Sequence, residues 1–186
     1  MVKSRILKAA LPIVTVASAI SLFGLISIPA QAAALPTYRL IVNSGATALD
    51  ITANGAGNPT TISNSGKNDN WDFVNSTKWT GPNGVVFNVS EIEHAGTTEC
   101  ISDESGVFDM EGCSAGDLDE LFLQDPTGST TNGSPNEWYL NAAASDAAHA
   151  FRYLTAASLT NGAILISDPA GEGGLAAWNR VCTADC

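Results

Sequence analysis

Residues 100–113 read Cys100-Ile101-Ser102-Asp103-Glu104-Ser105-Gly106-Val107-Phe108-Asp109-Met110-Glu111-Gly112-Cys113, and a polar connection then leads to Leu121-Phe122-Leu123. Short apolar runs alternate here with polar residues, the spacing that puts every second side chain on one face of a strand. The same succession stands on either side. Before it come Tyr38-Arg39-Leu40, Ala48-Leu49-Asp50, Thr60-Thr61-Ile62 and Trp71-Asp72-Phe73; after it come Trp138-Tyr139-Leu140, Tyr153-Leu154-Thr155, Ile164-Leu165-Ile166 and Ala177-Trp178-Asn179. With Val86-Phe87 opening the middle copy, three units of four short strands result, at about 38–75, 85–125 and 137–181. The closing aromatics Trp71, Phe122 and Trp178 lie 51 and 56 residues apart, and they follow Leu49, Ile101 and Leu154 by 22, 21 and 24 residues.

Around these units the chain reads as all-β. Helical periodicity is nearly absent beyond the N-terminus, and the pairs Asn54-Gly55, Asn83-Gly84, Asn132-Gly133 and Asn161-Gly162 supply the positive φ angles that tight turns demand. Asn141 to Ala150, rich in alanine, reads equally as a short helix or as an Ala-lined strand and loop. A unit of four short strands cannot cover both its apolar face and its edges. Three copies solve this by closing into a barrel capped by hairpins, a β-trefoil, with Trp71, Phe122 and Trp178 sharing one interior. A β-sandwich with regular turns is the alternative.

The N-terminus precedes this domain. Lys3, Arg5 and Lys8 lead into an apolar stretch that ends at Pro29-Ala30-Gln31-Ala32, the layout of a secretory signal peptide over 1–32, with cleavage after Ala32 and a single domain over 33–186. The other reading of this stretch is an uncleaved membrane anchor. The whole chain carries 8 basic and 19 acidic residues; loss of the first 32 leaves five bases against all the acids, a net charge of −14. Nucleic acid is excluded as a partner, and after cleavage so is a membrane, because both need clustered Lys and Arg. A secreted, extracellular location favours cross-links, so Cys100 with Cys113 and Cys182 with Cys186 are expected as two local disulfides. A zinc site lacks a Cys-x-x-Cys pair and a His at ligand spacing.

The units resemble ricin-B-type lectins, which build each unit from a first strand, a Cys-Leu-Asp-like second strand, a Val-x-Leu-x-x-Cys-like third strand and a closing Gln-x-Trp. Leu49-Asp50 and Asn68-Asp69-Asn70-Trp71 carry the likeness in unit one. Cys100-Ile101 with Phe108-x-Met110-x-x-Cys113 carry it in unit two, and Ile164-x-Ile166-x-x-Pro169 with Trp178 in unit three. It spans about Tyr38 to Val181, and it puts Cys100 and Cys113 where the family has its within-unit disulfide. The closing Gln is replaced by Asp69, Glu120 and Ala176. The resemblance implies carbohydrate as a partner, bound by an Asp, an aromatic ring and an Asn in each unit. Unit one keeps Asp50 and Asn68 but has Ser63 at the aromatic position; unit two offers Ser102, Glu111 and Asp119, and unit three Thr155, Ser167 and Leu175. Asp50 also reads as a turn-capping residue. Trp71 and Trp178 read as core, whereas Trp79 and Trp138, beside turns, are the candidates for exposed stacking surfaces.

Other chemistry is sparse. The acidic run Glu99, Asp103, Glu104, Asp109, Glu111, Asp117, Asp119, Glu120, Asp125 is compatible with calcium, yet lacks the order of an EF-hand loop and reads foremost as a solvated face. No cofactor motif, nucleophile elbow or zincin motif occurs, and Gly171-Glu172-Gly173-Gly174 does not open a helix. Glu91 and Glu93 beside His94 are the one candidate acid–base group. The expected function is therefore a secreted, non-catalytic carbohydrate-binding module with degenerate sites. The alternatives are a β-trefoil protease inhibitor presenting Thr77-Lys78-Trp79 to a protein target such as a protease, and an extracellular enzyme using the acidic residues.

Overall fold

A computed structural model describes residues 34–42, 49–64, 69–131, 134–169 and 175–186. Residues 1–32, expected as a signal peptide, Asn68, Asn132-Gly133 and residues 171–174 lie outside them.

Unit one contributes β1 (Thr37–Val42), β2 (Leu49–Thr52), β3 (Thr61–Ser63) and β4 (Trp71–Thr80). Unit two follows with β5 (Val86–His94), β6 (Glu99–Glu104), β7 (Val107–Gly112) and β8 (Leu121–Thr131). Unit three has β9 (Ser134–Asn141), a helix α1 (Ala142–Ala148), β10 (Tyr153–Ala156), β11 (Leu165–Asp168) and β12 (Trp178–Ala184). Each of the twelve runs read from the sequence falls on a strand in its expected order.

The first and fourth strands of the units close a ring. β1 pairs β4, β4 pairs β5, β5 pairs β8, β8 pairs β9, β9 pairs β12, and β12 returns to β1, all antiparallel. Such a ring is a barrel and has no open edge, which excludes the two stacked layers of a sandwich. The hairpins β2–β3, β6–β7 and β10–β11 cap one end. They are knitted to one another by Thr60 N–H to Phe108 O (2.7 Å), Leu165 N–H to Thr60 O (3.0 Å) and Ser167 N–H to Gly106 O (3.1 Å).

The closing aromatics belong to one buried cluster with Leu40, Ile92 and Tyr139. Each indole also needs a partner for its N–H: Trp71 donates to Ile51 O at 3.2 Å and Trp178 to Leu154 O at 2.9 Å. A second cluster, Trp79, Val89, Leu121 and Ala142, packs α1 against the long β4–β5 hairpin.

Turn chemistry departs partly from expectation. The three described Asn-Gly pairs turn the chain as expected, with Gly55, Gly84 and Gly162 at φ +85, +76 and +86. The tightest hairpin, β6–β7, instead uses Ser105-Gly106 at φ +59 and +94, the mirror-image turn that matches strand twist. The alanine-rich segment is helical: Asn141 caps it by accepting from Ala144 N–H at 2.9 Å, and His149 ends it in the left-handed conformation. Cys100 is bonded to Cys113 across the β6–β7 hairpin, and Cys182 to Cys186 at the C-terminus.

Candidate functional site

Strand register defines which residues correspond around the barrel. Tyr38 lies opposite Trp71, Ser90 opposite Phe122 and Glu137 opposite Trp178. The next residues, Arg39, Glu91 and Trp138, therefore share one position. In the same way Ile41 opposite Asp50, Glu93 opposite Cys100 and Leu140 opposite Tyr153 make Asp50, Cys100 and Tyr153 equivalent.

This register shifts unit one by two residues from the sequence alignment. Thr52, not Asp50, corresponds to Ser102 and Thr155. The slip was invisible in the pattern because strands repeat every two residues, so Leu49 and Ile51 both read as the buried second-strand position, and both are buried.

Asp50 is only 1% exposed. Its carboxylate is bonded to the Arg39 guanidinium, whose Nε lies 3.0 Å from Asp69 Oδ2. Burial still holds the Asp50 carboxyl above its ordinary range, against the lowering effect of Arg39, while the bond to Asp50 raises Arg39. Asp50 thus ties β1 to β2 and to the approach of β4. Asn68 lies outside the described residues.

Unit two fills the same three positions differently. Glu91, fully buried, accepts from Asn75 Nδ2 at 2.6 Å and Gly116 N–H at 3.3 Å. Cys100 is in its disulfide, and Glu120, 2% exposed, accepts from Ser114 N–H at 2.7 Å. Burial, with the nearby Glu91 charge, pushes Glu120 up to about 7, against the lowering effect of the Ser114 bond. Unit three places Trp138 and Tyr153 there, edge to face at 5.5 Å between ring centroids, with Ala176 as the third member.

The other sequence candidates separate. Trp79 is buried and donates to Asp146 Oδ2 at 3.2 Å, so it is no stacking platform; Trp138 is half-buried. Thr77-Lys78-Trp79 lies inside β4, paired with Val89, Asn88 and Phe87, and not in a projecting loop. Glu91 and Glu93 share one face of β5, whereas His94 points to the other and meets Trp71 at 5.6 Å. They form no acid–base group. The acidic run is only partly a solvated face. Asp103 accepts from Gly106 N–H at 2.6 Å, and Asp117 from Asp119 N–H at 3.2 Å, closing local turns. Among the described residues the one close group of metal-ligand types is Glu91, Cys100 and Cys113, and the disulfide occupies both sulfurs.

Two open clefts lie at corresponding places on the barrel side. The larger, about 650 Å³, runs between the β6–β7 turn and α1; it brings Asp103, Glu104, Asp119, Arg152 and Ser167 over a floor of α1 alanines. Burial raises both Asp103 and Asp119. Its counterpart, about 450 Å³, sits between Ala53 and the His94–Glu99 connection. By the register above, Ala53 and Glu99 stand there where the larger cleft has Asp103 and Arg152. Only the larger cleft combines acceptors with a cationic donor. Sequence reasoning found Asp119 and Ser167 as family positions and Asp103 only as a member of the acidic run, and it missed Arg152, which arrives from the connection beyond α1.

No family model matches the sequence, and no curated protein does. Solved structures do resemble the fold. A mosquitocidal holotoxin aligns with a TM-score of 0.58 at 13% identity, over 81% of this chain and 18% of that one. The designed threefold-symmetric protein ThreeFoil aligns with a TM-score of 0.54 at 15% identity, over 78% of this chain and 97% of that one. The GlcNAcα1-4Gal-releasing endo-β-galactosidase from Clostridium perfringens aligns with a TM-score of 0.54 at 9% identity, over 81% of this chain and 33% of that one. The chain thus spans less than a fifth of the holotoxin. At these identities the likeness establishes the β-trefoil fold.

Proposed function

We propose that the chain is a secreted, non-catalytic carbohydrate-binding module whose ligand occupies the cleft between the β6–β7 turn and α1. One observation carries this reading: Asp103, Asp119 and Arg152 line a single open cleft on the side of the barrel. Vicinal sugar hydroxyls are both donors and acceptors, so a site needs carboxylates to receive and a fixed cation or amide to give. The unit-one pair that the family pattern favours does not supply this, since Asp50 is spent on Arg39. The cleft floor is alanine and not an aromatic face, so affinity is in the millimolar range, about 4 kcal/mol. The endo-β-galactosidase among the similar structures acts on a glycan, which agrees with a fold that accompanies sugar-directed proteins.

A glycan array probed with the wild type, Asp119→Asn and Arg152→Ala tests the site. At least one glycan class is retained by the wild type, with tenfold or greater loss in both variants. An array without any hit, or hits indifferent to both changes, removes the proposal.

A further inference from the structure

The barrel has a second end, opposite the hairpin cap, and its lining breaks the rule that a barrel interior is filled by apolar side chains. Two residues beyond the closing aromatics stand Phe73, Gln124 and Arg180, equivalent to one another by register. Filling space would need only residues like Phe73. Arg180 instead places its guanidinium carbon 4.6 Å from the Tyr38 ring centroid, with Nη1 donating to Gln124 Oε1 at 3.1 Å and Nε 3.3 Å from Glu137 Oε2. The Tyr139 hydroxyl donates to the same Glu137 oxygen at 2.8 Å.

A cavity of about 330 Å³ lies alongside, with Tyr38, Phe73 and Pro36 as apolar wall and Ser90, Gln124 and Arg180 as polar groups. Concavity, aromatic walls and a few convergent polar atoms are the attributes of a small-molecule site, and barrel mouths are a common place for one. The order of the charges selects the ligand. The Glu137 side chain is 7% exposed and that of Arg180 is 27%, so an incoming molecule meets the guanidinium first, with the carboxylate behind it. A guanidinium carries five donors in a planar fork that fits a carboxylate, and a cation would be turned away by it. The rings suit a flat apolar body.

We propose that this mouth is a ligand site, separate from the side cleft, that takes a small aromatic carboxylate. It does not depend on the carbohydrate reading. The protein's acidic surface opposes anions at long range, but that field is screened beyond about 8 Å at physiological salt, whereas the Arg180 contact is direct.

The test is a calorimetric and NMR titration of the purified protein with benzoate, benzyl alcohol and benzamidinium. Benzoate binds at or below roughly 10 mM, benzyl alcohol at least tenfold more weakly, and benzamidinium not at all. Gln124→Glu adds a second carboxylate beside Arg180, whose charge Glu137 already balances, so the cluster becomes net negative with the ion pair kept and benzoate affinity falls tenfold or more. Ser90→Leu, which narrows the cavity and leaves Arg180 in place, gives the same loss. Failure of benzoate to bind, equal binding of benzoate and benzyl alcohol, or wild-type affinity in both variants overturns the proposal.

Discussion

Units one and two each bury a pair of carboxylates beside the same stretch of barrel wall, and they meet the resulting charge in opposite ways. In unit one Arg39 joins Asp50 and Asp69, so the two acids share a cation. In unit two the position of Arg39 is held by Glu91, which adds a negative charge where unit one has a positive one. Glu91 accepts from Asn75 and Gly116, Glu120 accepts from the Ser114 N–H, and a disulfide stands at the position of Asp50. The threefold framework therefore fixes where a buried group sits but not how it is neutralised. A cation offsets much of the burial, although the Asp50 carboxyl still stands above its ordinary range. Amide donors do so incompletely, and the remainder appears as a Glu120 held up to about 7.

Breaking unit one should give the largest effect. Arg39→Met keeps the length of the side chain but strands two buried carboxylates; the Arg39 side chain is itself 35% exposed, so the cost stays at the low end of that for breaking a buried pair, about 3 kcal/mol. Urea unfolding would register this as a lower midpoint at unchanged slope. Asp50→Asn should cost less at pH 8 than at pH 5, because burial holds the Asp50 carboxyl above its unfolded value, so the wild type loses stability as pH rises and the variant, which cannot ionise, does not. Equal stability of Arg39→Met and wild type would mean that the triad is a surface ion pair of little weight.

Unit two should respond next, to loss of its covalent link. Cys100→Ala with Cys113→Ala opens a loop closed across 13 residues of sequence separation, which the loop-entropy model values at about 2–3 kcal/mol. The Cys182–Cys186 link at the exposed C-terminus serves as the control. Its removal should leave the urea midpoint nearly unchanged, so a larger loss there than at Cys100–Cys113 would contradict the idea that unit two depends on its disulfide.

How much of this was legible in the sequence follows from the same contrast. Trp71, Phe122 and Trp178 declared the units because a closing aromatic at regular spacing requires a matching interior in each copy, and the ring of six strands supplied it. Cys100 and Cys113 were readable because local cross-links leave a spacing. The site was harder. Asp50 looked like a ligand because a strand pattern has no memory of a two-residue slip, and only the pairing of Ile41 with Asp50 reveals that Asp50 corresponds to Cys100. Asp69 and Glu120 were visible only as replacements of the closing Gln, Glu91 only as part of an acid–base group that does not form, and Arg39 not at all, since a charge neutralised across three strands has no fixed spacing along the chain. Arg152 and Arg180 were likewise hidden, each set against partners from other strands or connections.

The smallest effect is the most specific to unit two, because it reads the charge balance itself. Glu120 has a folded-state value of about 7, above the ordinary 4.5 of an unfolded chain. Between these values the native state holds a proton that the unfolded state has released, so stability falls as pH rises through the window and is greatest below it. With solvent screening of the site allowed for, the loss from pH 4.5 to pH 8 is about 1–2 kcal/mol, a few degrees in Tm for a domain of this size. Glu120→Gln keeps an acceptor for the Ser114 N–H, cannot ionise, and should flatten that part of the curve, leaving the smaller slopes from Asp103 and Asp119, which burial also raises. Thermal melts of the two proteins at half-unit intervals of pH decide it. A wild type that gains stability between pH 5 and pH 8, or a variant that keeps the full wild-type slope, would show that the Ser114 N–H offsets the burial of Glu120 in full.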